Sequence, residues 1–200
     1  MVKAETSFFN LFDIQVVQNS ITKEFGAITN CAGNELDMSV GGVASAIKKD
    51  GGNQIETQCK LWVKSHGKVP TGCSTVTEAG HLNCSYVIHT IGPEYSIGDR
   101  MLAIDLLSSC IINTLEMAKI INVDSVSIPA ISSGALGFPK DECAEIIIKR
   151  VAQWFGLQAL LAQNMARKSG MDKETELSRV TKLRKVRLCD VDKPTVEIFT

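Results

Sequence analysis

The stretch 26–52, GAITNCAGNELDMSVGGVASAIKKDGG, constrains this chain more than any other, because it runs from a β-branched segment through a polar loop and a glycine pair into a helical pattern. Ala27, Ile28 and Thr29 suit a buried strand, whereas 30–40 shows no period and reads as a loop. At Gly41 and Gly42 the backbone can approach a ligand closely, since no Cβ stands in the way. Val43, Ala46 and Ile47 then recur at helical spacing, so the donors of the first turn point back at the glycines. Free N–H groups at the positive end of a helix dipole make an anion site. Taken alone, a glycine pair before a helix is more often a plain turn.

A second loop adds weight. Residues 124–131, DSVSIPAI, alternate and then become apolar, as a strand running inward would. Ser132, Ser133, Gly134, Ala135, Leu136, Gly137, Phe138 and Pro139 follow, and a helix is expected from about Lys140. Open α/β sheets bind ligands beyond the carboxyl ends of their strands, so two such loops can close on one ligand from two sides. A diphosphate suits that arrangement better than a lone phosphate.

The rest of the chain fits a single α/β domain. Its 200 residues are 44% hydrophobic and 22% charged, with a net charge of −1, which gives no global attraction to nucleic acid or an anionic membrane. Seven cysteines, no two closer than eleven positions, form no metal-binding pair and predict free thiols in a reducing compartment. No apolar signal segment or bilayer-long span is evident, which predicts a cytoplasmic or nuclear location and no membrane.

In order, 1–10 reads as a lead-in, 11–17 as a strand, 48–62 as one surface helix anchored by Trp62, and 71–79 and 86–90 as strands joined by a turn at 80–83. Helices are expected at 100–123 and 141–155, and a last strand at 186–189. Alternating strands and helices predict an α/β sandwich that need not be purely parallel. The segment 156–185 reads as an extended connection. Its part 167–187 carries eight Lys/Arg against three Asp/Glu. With no aromatic side chain interleaved to stack on bases, it reads as a solvated helix or loop rather than a nucleic-acid contact. His66, His81 and His89 lack metal spacing, and His89 reads as a hydrogen-bonded core residue.

Three motifs in order, AITNCAGNELDMSVGGVASAIKKDGG, GCSTVTEAGHLNCSYVIHTIGP and SVSIPAISSGALGFP, resemble those of the macrodomain, the ADP-ribose-binding module. The resemblance runs from about Ile14 to Asp190. It implies a three-layer α/β/α sandwich with a mixed central sheet, ADP-ribose as ligand, no cofactor or metal, and a monomer. Ser20, followed by Ile21, stands where the family has an acid that accepts from the adenine amine; a neutral acceptor is weaker, so looser adenine selection is expected. An ordinary turn at Ser20 is an equal alternative. Asn34 would bond the terminal ribose, and Asn30 would hold the loop through backbone bonds. Gly41, Gly42 and Val43 would supply donors to the diphosphate, with Val40 narrowing the entrance. Ser132, Ser133, Gly134, Ala135, Leu136, Gly137 and Phe138 would wrap it from the other side. Cys189 occupies the place of an aromatic that packs on adenine in the family.

The resemblance leaves three functions open: a reader of ADP-ribose or mono-ADP-ribosylated proteins, a hydrolase of mono-ADP-ribosyl groups or O-acetyl-ADP-ribose, and a degenerate module for protein or nucleic-acid contact. Ala44 stands where strongly active hydrolases of the family often carry an aspartate. The reader is therefore placed first, with Asn34 the candidate catalytic residue for the hydrolase.

Overall fold

The computed structural model describes residues 11–200, so the expected lead-in lies outside the described residues. Among the described residues six strands form one sheet: β1 (Asp13–Gln18), β2 (Ala27–Ala32), β3 (Ser74–Glu78), β4 (Tyr86–Ile91), β5 (Ser125–Ile128) and β6 (Lys185–Asp190). Their order is β1-β6-β5-β2-β4-β3. Every neighbouring pair is parallel except the edge hairpin β3–β4. The sheet is mixed, and helices cover both faces.

The central strands are buried on both sides, as strands covered twice must be, although Thr29, Asn30, Ser125 and Ser127 put polar groups among their apolar residues. Ala27 and Ile28 are both fully buried but face opposite layers. Ile28 packs with Ile47 and Ile55 of α1 (Gly42–Gly51) and α2 (Asn53–His66). Ala27, Val126 and Leu188 pack with Leu107 of α3 (Arg100–Ile120) and Ile147 of α4 (Lys140–Ser169). By length and composition α3 could cross a membrane, yet here its Leu107, Ile111 and Leu115 are fully buried against the sheet. Two short helices, α5 (Lys173–Val180) and α6 (Lys193–Ile198), flank the last strand.

Several expected boundaries move. The helix expected over 48–62 is two helices, broken at Gly52, whose φ of +90° a side chain would oppose. β2 continues through Asn30, Cys31 and Ala32 because these residues pair with His89, Thr90 and Ile91 of β4, overriding the polar local sequence. β5 stops at Ile128, before Pro129, which has no N–H to continue the ladder. The segment 156–185 holds the second half of α4, capped by Gly170 in the left-handed conformation, and then α5. Of the basic residues over 167–187, Arg179 pairs with Glu176, Lys185 with Asp13 and Arg187 with Glu24, and Arg184 lies over the Phe12 ring.

Candidate functional site

β2 and β5 are adjacent and parallel, so the loops that follow them, 33–41 and 129–139, leave the same end of the sheet. β1, β4 and β6 end at that edge as well. The two glycine-bearing loops are thus brought to one cleft.

In the first loop, Val40 is 68% exposed, and Gly41 and Gly42 are exposed with open space where a Cβ would stand. Gly41 has φ +91°, a conformation that favours glycine. The first bond of α1 runs from the Ser45 N–H to the Gly41 carbonyl. The N–H groups of Gly42, Val43 and Ala44 therefore have no intrahelical acceptor. Ala44 is buried, so this turn offers donors but no carboxylate.

Asn30 and Asn34 play different parts. Asn30 is fully enclosed, and its Nδ2 lies 3.1 Å from His89 Nδ1 and 3.5 Å from Met38 Sδ. It meets the loop through the Met38 side chain and from beneath, not through the backbone bonds expected of it, because β2 carries it into the sheet. Its Oδ1 is buried without a partner among the described residues. Asn34 is exposed, and its Nδ2 donates to the Val69 carbonyl at 2.8 Å while the Val69 N–H donates to the Asn34 carbonyl at 2.9 Å. One donor of the amide expected to reach the ribose is thus engaged by the protein.

The second loop folds on itself. Gly137 N–H donates to the Gly134 carbonyl and Phe138 N–H to the Ser132 carbonyl, each at 2.9 Å. Tyr95 N–H ties the loop after β4 to the Leu136 carbonyl, and the Tyr95 and Phe138 rings meet edge to face at 4.9 Å. Gly134, Ala135 and Leu136 donate to no backbone carbonyl among the described residues. Their N–H groups form a turn-borne set of donors suited to an anion. Ser133 bonds the Ala130 carbonyl, whereas the Ser132 hydroxyl is buried without a partner among the described residues and its backbone sits at φ +66°. An orphaned buried hydroxyl and a strained non-glycine residue at one position are what a polar ligand site accumulates. Phe138 is almost wholly buried, so it supports the loop from below.

At the β1/β6 end, Ser20 is half-buried and Ile21 buried. Asn19 Oδ1 accepts from the Ser20 N–H at 2.9 Å, and Asn19 Nδ2 donates to Glu24 Oε1 at 2.8 Å. Cys189 is buried, with Sγ 3.2 Å from the Asn19 carbonyl oxygen. The thiol fixes backbone rather than presenting a surface, and the exposed apolar side chain nearby in sequence is Val191. Sequence reading missed Val191 and Met38. For Val191, an apolar residue flanked by Asp190 and Asp192 was the available signal.

No three His, Cys, Asp or Glu side chains converge as a metal site requires among the described residues. Burial pushes the thiols of Cys110, Cys143 and Cys189 up to about 12, which keeps them protonated and unreactive. Of the two carboxylates in the first loop, Glu35 pairs with Lys68 at 2.7 Å, and Asp37 is held below its usual range by hydrogen bonds from the Ser39 side chain and backbone, the opposite of a poised general base. A separate open depression of about 580 Å³ adjoins the first loop, lined by Met38, Ser39, Lys48, Lys49 and His81 among others. It belongs to α1 and the β3–β4 turn, not to the strand ends.

Comparison with known proteins agrees with this geometry. The Macro domain family model matches residues 29–147. The O-acetyl-ADP-ribose deacetylase of Klebsiella pneumoniae is 39% identical over 138 residues, covering 68% of this chain and 78% of that protein. An uncharacterised Thermotoga maritima protein is 35% identical over 187 residues, 93% of this chain, and the chain spans only 28% of that protein's length. The Oceanobacillus iheyensis macrodomain has been solved with ADP-ribose in a mutant form and with ADP. The first superposes with a TM-score of 0.76 at 25% identity, covering 96% of this chain and 91% of the other. The second gives 0.76 at 26%, covering 96% and 90%. On the family match and these relatives, the chain belongs to the macrodomain family.

Proposed function

We propose that this chain binds ADP-ribose, free or as a mono-ADP-ribosyl group on a protein, with the diphosphate between the two loops, the adenine toward Ser20 and the terminal ribose toward Asn34. One observation carries the reading: adjacent parallel strands deliver two sets of uncommitted backbone donors, Gly42–Ala44 and Gly134–Leu136, to the same edge. Backbone donors hold their direction without the rotamer entropy of Lys or Arg, and they are strongest with a charged acceptor. ADP and ADP-ribose bound to the Oceanobacillus macrodomain support the same ligand class here. Calorimetric titration with ADP-ribose, ADP and AMP tests it. Saturable binding that weakens when the diphosphate is shortened to a monophosphate is expected, and no heat with any of the three contradicts the reading.

The likeness to the Klebsiella deacetylase favours a second reading, hydrolysis of an ester on the bound ribose by a positioned water. Ala44 and the ionised, hydrogen-bonded Asp37 supply no evident base, so binding without turnover is the reading preferred here. Release of label from a mono-ADP-ribosylated protein or of acetate from O-acetyl-ADP-ribose, abolished by Asn34→Ala, would reverse that order.

A further inference from the structure

The sequence puts a serine where an acid is expected, and the fold places an acid one step behind it. Thr22 Oγ1 donates to Asp50 Oδ2 at 2.7 Å, and Ser20 Oγ lies 3.0 Å from Thr22 Oγ1. A hydroxyl has one hydrogen, and an ionised carboxylate can only accept. With the Thr22 hydrogen committed to Asp50, the Ser20–Thr22 contact has one consistent assignment: Ser20 donates and Thr22 accepts. Thr22 is 3% exposed, so water does not compete for its hydrogen. The Ser20 oxygen is left with lone pairs and nothing to donate.

We propose that Asp50 is a specificity-determining residue that, through Thr22, turns Ser20 into an acceptor-only group, so that the cleft selects a nucleobase carrying an exocyclic amine over one carrying a carbonyl at the same place. The inference rests on the reading that the cleft takes an ADP-ribosyl group with its base toward Ser20. A serine whose hydrogen is free can rotate to donate to a carbonyl or accept from an amine, and discriminates little. A serine whose hydrogen is held inward meets an amine with a hydrogen bond and a carbonyl with two opposed lone pairs. The chain of hydroxyls ending on a carboxylate polarises each oxygen in turn, which strengthens the terminal acceptor.

The surroundings hold this arrangement in place. Asp50 also meets Lys23 Nζ at 3.4 Å, and hydrogen bonds from Thr22 and then Lys23 keep its carboxyl below the usual range, hence ionised at neutral pH. The Ser20 backbone is fixed on both sides, its N–H to Asn19 Oδ1 and its carbonyl to the Lys23 N–H. Asp50 lies near the end of α1, the helix whose first turn faces the diphosphate, so one helix serves both ends of the nucleotide. From Gly42 to Asp50 the helix rises about 12 Å, on the scale of one nucleoside.

The test compares calorimetric affinities of the full chain for ADP-ribose and for the hypoxanthine analogue, inosine diphosphate ribose, which replaces the amine by a carbonyl. Wild type is expected to favour ADP-ribose by about tenfold, the scale of one hydrogen bond. Asp50→Ala and Thr22→Val should each bring the two affinities within about twofold, chiefly by tightening the inosine ligand as Ser20 regains its hydrogen. Thr22→Ser, which restores the hydroxyl, should keep the preference. General damage to the cleft would weaken both ligands together and overturns the inference. So does a wild-type ratio near one with ADP-ribose still bound, or a preference that survives both Asp50→Ala and Thr22→Val. If wild type binds neither ligand, the cleft reading itself fails and takes this inference with it.

Discussion

Asn30 and His89 face each other across β2 and β4, with the Asn30 amide nitrogen 3.1 Å from His89 Nδ1. An amide N–H donates, so Nδ1 accepts, and the ring hydrogen resides on Nε2, which lies 2.9 Å from Thr77 Oγ1. The imidazole is neutral by construction, since a second proton would set two donors against each other. Complete burial pushes its pKa down to about 4.

That relationship predicts how stability changes with pH. An unfolded chain takes up the His89 proton near 6.5, while the folded chain resists until about 4. Between those values the unfolded state holds more protons, so folding stability falls as pH is lowered through the window. Urea unfolding should lose about 2 kcal/mol between pH 7 and pH 5 from this residue. His89→Gln should show a shallower slope than wild type; equal slopes would contradict the assignment.

A second prediction concerns the join between β4 and the second loop. A Cβ at Gly92 would run into Ser132 Oγ and lie 3.1 Å from Ile131 Cγ2 and 3.3 Å from Cys31 Sγ. Gly92→Ala should therefore cost about 1–3 kcal/mol of stability and weaken ADP-ribose binding by displacing the loop. Ser132→Gly removes both the obstructing hydroxyl and the positive-φ strain. The double variant should recover most of the loss, and strict additivity of the two changes in chemical denaturation would contradict a direct clash.

Buried charge under the β1 end supplies a third. Glu24 is 6% exposed, bonds Asn19 Nδ2 and the Ser127 hydroxyl, and lies 3.6 Å from Arg187 Nη1. Glu24→Gln leaves the Arg187 charge without its partner in a poorly solvated place, at a cost of about 3 kcal/mol. Glu24→Gln combined with Arg187→Met should be more stable than Glu24→Gln alone. A double variant that is less stable would show that the pair is not the source of the effect.

How much of this was legible in the sequence differs by range. The two loops were legible because a strand run, a glycine pair and a helix start are local signals, although β2 runs three residues into the first expected loop and β5 stops three residues short of the second. The break between α1 and α2 had its signal in Gly51-Gly52, overridden by the helical spacing of Ile55, Cys59 and Trp62. Asn30 falls in a stretch, 30–40, that shows no period and so reads as loop. Only its pairing with His89, 59 positions away, makes its burial possible. The tie between Thr22 and Asp50 spans 28 positions and could not be read from either segment alone. The resemblance alone sets Cys189 against the adenine, and its burial with its thiol on the Asn19 carbonyl is a long-range outcome that no local signal carries.

The central claim is that main-chain donors grip a diphosphate, and Gly42→Val tests it most directly. Gly42 has an ordinary φ and open space where its Cβ would stand, so the substitution should leave thermal stability within about 1 kcal/mol of wild type. The added branched side chain would occupy the approach to the first-turn N–H groups. Titration with ADP-ribose should then show affinity reduced at least about tenfold, the scale of one charge-assisted hydrogen bond. A stable Gly42→Val protein that binds ADP-ribose as tightly as wild type would contradict the account.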